Sequence, residues 1–528
     1  MTGLIKSILE QEEIQALKPD FSLLTIISKE LAQKAQTIIF GKEKGKELKL
    51  LTTNNHPDEV KKLLHQIEQK GYLYQLFYTT NEGFALALER YDLLEQQEKE
   101  KAELRQQSAK AEGKSAISLM KEEFNQRESQ DPAQFINTII RLSFQAGASD
   151  LHFQPEEQGI VLRLRIDGVL QTVVEFSHQE FWKYMQKIKF MSGVKMNIDY
   201  LPQDWRFSFE AFDRDGKLKK IDSRISFMPG VITESIVIRF LDASESIDDF
   251  EQIGFSETSL KILEHQLQKT NGIIIITWPT GSGKTTTLYA ILKKLNDGTK
   301  KIITLEDPIE YKIAGLQQSQ INYDKGYDYE TGLKAILRQD PDIILVGETR
   351  TKETAQIAIN ASLTWHLVFT TLHTNSVLDS LSRLMNMGIE PYLLTPALQL
   401  IIGQRLVRKV CPHCWERQDA TPEEDTEIRK KLTELQKINP EVWKKYQGKI
   451  FKGKGCEHCN HSGYKGRIAI IEILEINDQI REKLMNEKQG ENLLLFAKSF
   501  GFISMQEDGI LKVIEGITDL KEVHRVLY

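Results

Sequence analysis

The sequence predicts an α/β protein of several domains, and three observations carry that prediction. Strand-like apolar runs that end in loops and lead into helical patterns recur between residues 250 and 404: GIIIIT, KIITLED, DIILVGE and HLVFTTLH. Runs of this kind alternating with helices argue for a parallel sheet covered on both faces. At 528 residues the chain exceeds one ordinary core, since domains run to about 150 residues. With 40% apolar and 27% charged residues its composition is globular, far from the range in which chains stay unfolded.

Taken in order, residues 1–90 alternate helical and strand-like patterns, as in ISKELAQKAQTIIF, LKLLTT and DEVKKLLHQIEQKG, and read as a small α/β domain. Residues 91–130 turn to Glu, Lys, Gln and Ala without a regular apolar face. They read as a charged helical linker, supported by spaced pairs such as Glu95 and Lys99. Residues 131–245 open with an amphipathic helix, DPAQFINTIIRLSFQAGA. They continue in the strands DLHFQP, IVLRLRID, DSRISFMP and SIVIRFL, a second α/β domain with an open sheet. The parallel-sheet domain at 250–404 follows, then a cysteine-bearing segment at 405–470 and a mostly helical region at 471–528.

The net charge of −6, from 69 basic and 75 acidic residues, offers no global positive field for nucleic acid or an anionic membrane. No apolar stretch approaches the ~18–20 residues of a membrane helix. The start, MTGLIKSILEQEEIQ, is acidic and unlike a signal peptide, so a cytoplasmic location is expected.

GIIIITWPTGSGKTTTLYAILKKL reads as a buried strand, a loop and a helix, the context a phosphate-binding loop requires. Pro279, Thr280, Gly281, Ser282, Gly283, Lys284, Thr285 and Thr286 form the candidate cradle. Backbone N–H groups and the helix N-terminus would hold the phosphates of ATP, Lys284 would reach the β/γ oxygens, and Thr285 would offer a hydroxyl to Mg²⁺. The first position of the G-x-x-x-x-G-K-[ST] pattern holds Trp278. Downstream, DIILVGE ends in Glu348, where a Mg²⁺-linked acid belongs at the carboxyl edge of a doubly wound sheet. TLEDPIEY packs Glu306, Asp307 and Glu310 into five residues. Like charges so close favour a metal or a base with a raised pKa, against the plain alternative of a solvated loop. His373, an ordinary structural histidine when read alone, can contact the terminal phosphate if it lies beside this loop.

All four cysteines fall in two pairs, Cys411/Cys414 and Cys456/Cys459, with 41 residues between the pairs. Two C-x-x-C knuckles suit tetrahedral Zn²⁺ with four thiolates, whereas a thioredoxin-like redox site needs one. His413, His458 and His461 read as neighbours of the metal more than as ligands.

In order and spacing, WPTGSGKTTTLY, ITLEDPIEY, ILRQDPDIILVGETRTKETA and LTWHLVFTTLHTNS resemble the four nucleotide-binding boxes of the secretion-type ATPases of type IV pilus assembly and type II secretion. GASDLHFQP, RLRIDGVL, the cysteine pairs, GRIAIIEIL and EDGILKVIEG extend the resemblance over about residues 130–528. It implies a RecA-like P-loop domain, a PAS-like domain before it and an N-terminal docking domain. It also implies Glu310 as the water-activating residue with Glu306 and Asp307 in support, Glu348 as the Mg²⁺-linked acid and His373 as γ-phosphate sensor. Arg224 and Arg239 would reach the nucleotide from the preceding domain; by alternation alone both are ordinary strand residues. A homo-hexamer docked on an inner-membrane platform protein, peripheral to the cytoplasmic membrane and without direct nucleic-acid contact, is implied as well. The cysteine pairs imply filament extension, not retraction. The alternatives are a catalytically impaired scaffold and a motor for DNA uptake.

Three of the six tryptophans, Trp205, Trp278 and Trp365, stand where the resembled family has glycine. One cause accounts for all three: UGA codons read as glycine by the host and written here as tryptophan. Trp415 is a candidate fourth case.

Overall fold

The computed structural model describes residues 5–9, 14, 21–24, 26–42, 47–53, 55–92, 115–214, 216–242, 249–277, 281–436, 438, 444, 446–486 and 493–528. The chain divides into two compact units, residues 1–112 and 113–528.

The first unit holds a mixed sheet of β1 (Ile5–Ile8), β2 (Thr37–Lys42), β3 (Glu47–Thr52) and β4 (Leu73–Tyr78), in the order β1-β4-β3-β2. The crossover helix Pro57–Gln69 starts on proline and buries Val60, Leu63 and Ile67, one helical face. Of the expected linker, residues 93–114 lie outside the described residues. Its far end departs from expectation. Helix α1 (Ala116–Gln126) buries Met120 completely in the core of the second unit, and Phe124 meets Phe176 edge-on at 5.0 Å. Within a charge-rich run, Ile117, Met120 and Phe124 supply one apolar stripe at i, i+3 and i+7.

The second unit begins its sheet after α2 (Pro132–Gln145), whose N-cap Asp131 accepts from the backbone of Ala133 and Gln134. Strands β5 (Ala148–Glu156), β6 (Gly159–Ile166), β7 (Val169–Phe176), β8 (Gln203–Phe212), β9 (Leu218–Met228) and β10 (Ser235–Leu241) form an antiparallel sheet ordered β7-β6-β5-β10-β9-β8. Together α2 and α3 (His178–Ser192) cover one face over Phe135, Phe153, Phe176, Phe181 and Tyr184. With a period of two, the strands' alternate residues fall on the other face. There the register sets Arg206, Arg224, Arg239, Asp150 and Arg165 in one row across five strands.

The third sheet comprises β11 (Gly272–Thr277), β12 (Ile302–Glu306), β13 (Gln317–Gln320), β14 (Ile343–Val346), β15 (Leu367–Leu372), β16 (Leu398–Val410) and β19 (Tyr464–Glu475), ordered β13-β12-β14-β15-β11-β16-β19. Six strands are parallel: the four expected from their apolar runs, β11, β12, β14 and β15, with β13 and β16 added at either side; β19 returns antiparallel to β16 at the edge. The cysteine segment is therefore an excursion between two paired strands, and it carries its own hairpin, β17 (Trp415–Asp419) with β18 (Lys449–Gly453). Helices α4 (Lys284–Leu295), α5 (Lys352–Leu363) and α6 (Val377–Asn386) follow β11, β14 and β15; α7 (Met505–Ile514) and α8 (Leu520–Leu527) close the chain.

Candidate nucleotide site and metal centre

β11 is buried along its whole length and points at the phosphate loop. Trp278, Pro279 and Thr280 lie outside the described residues. From Gly281 the loop turns through left-handed backbone at Gly281 and Gly283 (φ 83° and 86°) into Lys284, the first residue of α4. At Gly283 a side chain would crowd the Gln404 amide, its Cβ 2.8 Å from Nε2. Gln404, buried on β16, donates to the Ser282 carbonyl (3.0 Å) and accepts from the Thr287 hydroxyl (2.7 Å), so it holds the loop from both sides. Sequence reasoning missed it, although a lone polar residue in the run LQLIIGQRLV is the signal of a buried hydrogen bond. Burial pushes the Lys284 ammonium down to about 8, with the charge on Glu348 opposing the shift. A phosphate beside it would reverse that.

Neighbouring parallel strands β14 and β15 deliver Glu348 and His373 to the same edge. Glu348 pairs with Arg350 (2.6 Å) and with His373 Nε2 (3.1 Å). Burial, then the positive charge of Lys284, lowers the His373 pKa against the pull of Glu348, which favours the neutral ring.

The carboxylates of TLEDPIEY do not cluster as their spacing suggested. The strand end separates them: Glu306 turns inward, Asp307 is exposed, and Glu310 sits half-buried on the loop beyond. Among the described residues the cysteines form the only group of three or more metal-ligating side chains. Glu306 accepts from the Tyr289 hydroxyl (2.5 Å), the Thr304 hydroxyl (2.6 Å) and Gln318 Nε2 (3.3 Å). Gln318 also donates to the Tyr311 carbonyl (3.1 Å) and accepts from the Ile313 amide (2.8 Å), so Glu306 and Gln318 brace the loop that carries Glu310.

Arg224 reaches that loop from β9. Its Nη2 donates to the Ile309 carbonyl (3.1 Å) and lies 3.6 Å from the Glu310 carboxylate, while its Nε is buried without a hydrogen-bond partner. Arg239 is held by Asp150 (2.8 Å), which also faces Arg165 (3.5 Å). Arg206, which sequence reasoning did not single out, stands directly opposite Arg224; only the register of β8 on β9 reveals it. A cleft of about 450 Å³ opens between these three arginines and Pro308.

In the cysteine segment the four sulfurs lie within 4.8 Å of one another, with Cys411–Cys456 and Cys414–Cys459 at 3.9 Å and Cys456–Cys459 at 3.7 Å. A tetrahedron with Zn–S bonds of about 2.3 Å has edges of about 3.8 Å, so the cage fits Zn²⁺. His413 and His458 stack on each other at 4.2 Å and are not members of that group.

The described tryptophans are all exposed: Trp182 by 57%, Trp205 by 51%, Trp365 by 80% and Trp415 by 49%. Trp365 follows the C-cap of α5 in the left-handed region (φ 67°), a position that favours glycine.

A strand–loop–helix cradle headed by Lys284, with an acid and a histidine on adjoining strand ends, defines a P-loop nucleoside triphosphatase, here joined to a tetracysteine centre. The chain belongs to the type II/IV secretion system protein family, whose profile matches residues 125–525. It is 39% identical over 391 residues to type II secretion system protein E of Pseudomonas aeruginosa, covering 74% of each chain. To the type IV pilus assembly ATPase PilB of Thermus thermophilus it is 37% identical over 424 residues, 78% of this chain and 46% of that longer one. The Yersinia pseudotuberculosis ATPase DotB shares the fold at 20% identity, with a TM-score of 0.54 over 75% of this chain and 93% of that one.

Proposed function

We propose that the chain is a cytoplasmic motor that hydrolyses ATP to drive assembly of a type IV pilus or a type II secretion pseudopilus. The observation that carries this is the meeting of Lys284, Glu348 and His373 at one edge of the parallel sheet, with Arg224 of the antiparallel sheet reaching the Glu310 loop. Lys284 and the amides of α4's first turn bind the β/γ phosphates. Glu310 takes the proton of the attacking water, and the arginine row stabilises charge on the transferred phosphoryl group. Glu348 and Thr285 would hold Mg²⁺, which neutralises phosphate charge when bound. The four cysteines would hold Zn²⁺, closing the knuckles as a structural site. The working form is a homo-hexamer docked through residues 1–90 on an inner-membrane platform protein, peripheral to the membrane. Phosphate release by the purified chain tests the reading. Lys284→Ala should lower it about 10²-fold or more; an equal rate in that variant would sink the assignment.

The competing reading, a scaffold that binds without turnover, is favoured only by Trp278, whose indole has no place in a tight phosphate loop. We infer that positions 205, 278 and 365 are glycine in the protein its own host makes. Tryptophan is on average a well-buried residue, yet every described one here is about half exposed or more. Trp365 in addition occupies a left-handed helix terminus, where any Cβ costs about 1 kcal/mol relative to glycine. The codons decide. UGA at these positions, with glycine masses in peptides from the native host, supports recoding; UGG overturns it and promotes the scaffold.

A further inference from the structure

The turn of RLRIDGVL, singled out in the sequence, has no part in the nucleotide site, yet it touches the strand that leaves the metal centre. Asp167 and Gly168 (φ 48° and 83°) make the tight hairpin between β6 and β7. The turn needs Asp, Asn or Gly there; it does not need a carboxylate that leaves its own domain. The Asp167 side chain nonetheless accepts a hydrogen bond from the backbone N–H of Gly466 (3.0 Å), at the start of β19. Three residues earlier, Gly463 is built into the cysteine cage: its N–H donates to Cys459 Sγ (3.3 Å) and its carbonyl accepts from the Cys411 N–H (2.9 Å).

On the other side Asp167 faces Arg214 (3.6 Å), which donates to the carbonyls of Ala146 and Gly147 (3.1 and 2.9 Å) at the head of β5. Any side chain at Gly147 would collide with that guanidinium. β5 and β6 then carry Asp150 and Arg165, the pair that meets Arg239 in the arginine row. Beside the contact lies a polar cleft of about 390 Å³, bordered by Gln145, Arg214, His458 and Lys465. The contact at this point is polar: one hydrogen bond to Asp167 beside an ion pair and a cleft.

We propose that Asp167 is a positioning residue: by docking the β6–β7 turn on Gly466 it lets the folded cysteine knuckle set where the arginine row stands relative to Glu310. The metal centre thereby acts on catalysis through domain orientation. This rests on the reading that Arg224 and Arg239 assist ATP hydrolysis.

The test uses the full chain with Asp167→Gly, which removes the carboxylate and suits the left-handed turn, and Asp167→Asn, which keeps an acceptor. Asp167→Gly should lower kcat about tenfold with KM for ATP within about twofold, as expected for a misplaced catalytic group. Zinc content and melting midpoint should not change, and Asp167→Asn should recover most of the rate. Independently of activity, the Gly466 amide should exchange its hydrogen slowly in the parent chain and faster in Asp167→Gly. Unchanged exchange at Gly466, or faster exchange with an unchanged kcat, overturns the proposal. Arg224→Ala separates the two ideas: if that variant keeps the full rate, the arginine reading fails, while the exchange experiment still judges the contact.

Discussion

The two centres of this chain are built by opposite means. In the cysteine cage all four ligands come from one excursion between paired strands, and their sulfurs already stand at tetrahedral spacing. The proposed nucleotide site would instead draw Lys284, Glu310, Glu348 and His373 from four strand ends of one sheet and Arg224, which reaches the Glu310 loop, from a different sheet. A closed structural site can be finished locally. A site that must open and close around a substrate divides its charges between bodies that can move apart. On the proposed function the cage would be a fixed point and the arginine row the adjustable part.

The largest effect should follow from breaking the divided site at its remote half. Arg224→Ala should reduce ATP turnover about 10³-fold, as for arginines that stabilise a transferring phosphoryl group. Arg239→Ala should cost less, because Asp150 already holds that side chain. A fragment starting at residue 250 should still bind nucleotide, since Lys284, Glu348 and His373 all lie within it. Glu310→Gln comes next: turnover should fall about 10²-fold with ATP binding retained, measured by phosphate release and equilibrium binding.

The closed site should fail differently. Cys411→Ser or chelation should lower the melting midpoint of the C-terminal region by about 10 °C, since structural zinc contributes folding free energy; metal analysis of protein purified without chelator should find one zinc per chain. The smallest effect sharpens the contrast through Lys284. Burial holds its pKa at about 8, below the ordinary lysine value of 10.5. Between those values the folded chain binds fewer protons than the unfolded one, so this group's contribution to stability rises with pH across that window. Bound phosphates should restore the charge. Calorimetry in buffers of different ionisation enthalpy should therefore find net proton uptake on ATP binding that grows as the pH rises from about 7.5 to about 9.

Much of this was legible in sequence because it is local. The strand–loop–helix around Lys284, the strand ending in Glu348 and the C-x-x-C pairs are contiguous patterns, and the structure brings each to an edge or a cage. Arg224 and Arg239 were legible only through resemblance, since alternation does not tell a functional arginine from a solvated one. What stayed hidden depends on register and on contacts between distant segments. Arg206 acquires meaning only when β8 pairs with β9, Gln404 only when β16 lies beside the phosphate loop, and Asp167 only when its turn meets β19. The three acids of TLEDPIEY misled for the same reason. Their spacing in the chain is close, but a strand end turns one inward and sends another onto a loop, where Arg224 awaits it.

The arginine row has one more consequence. Like charges directly opposite on neighbouring strands repel, and Arg206, Arg224, Arg239 and Arg165 share the single acid Asp150 within their row, with Glu310 3.6 Å from Arg224 beyond it. With Asp150 and Glu310 as the acids that face these guanidiniums, a nucleotide's triphosphate bound there would serve the fold as a further counter-ion, beyond serving as fuel. By mass action, binding at 100 times the dissociation constant adds about 2.7 kcal/mol to stability. In a cell the ratio of bound to free nucleotide would then set not only the pace of the motor but how firmly its domains hold together between strokes.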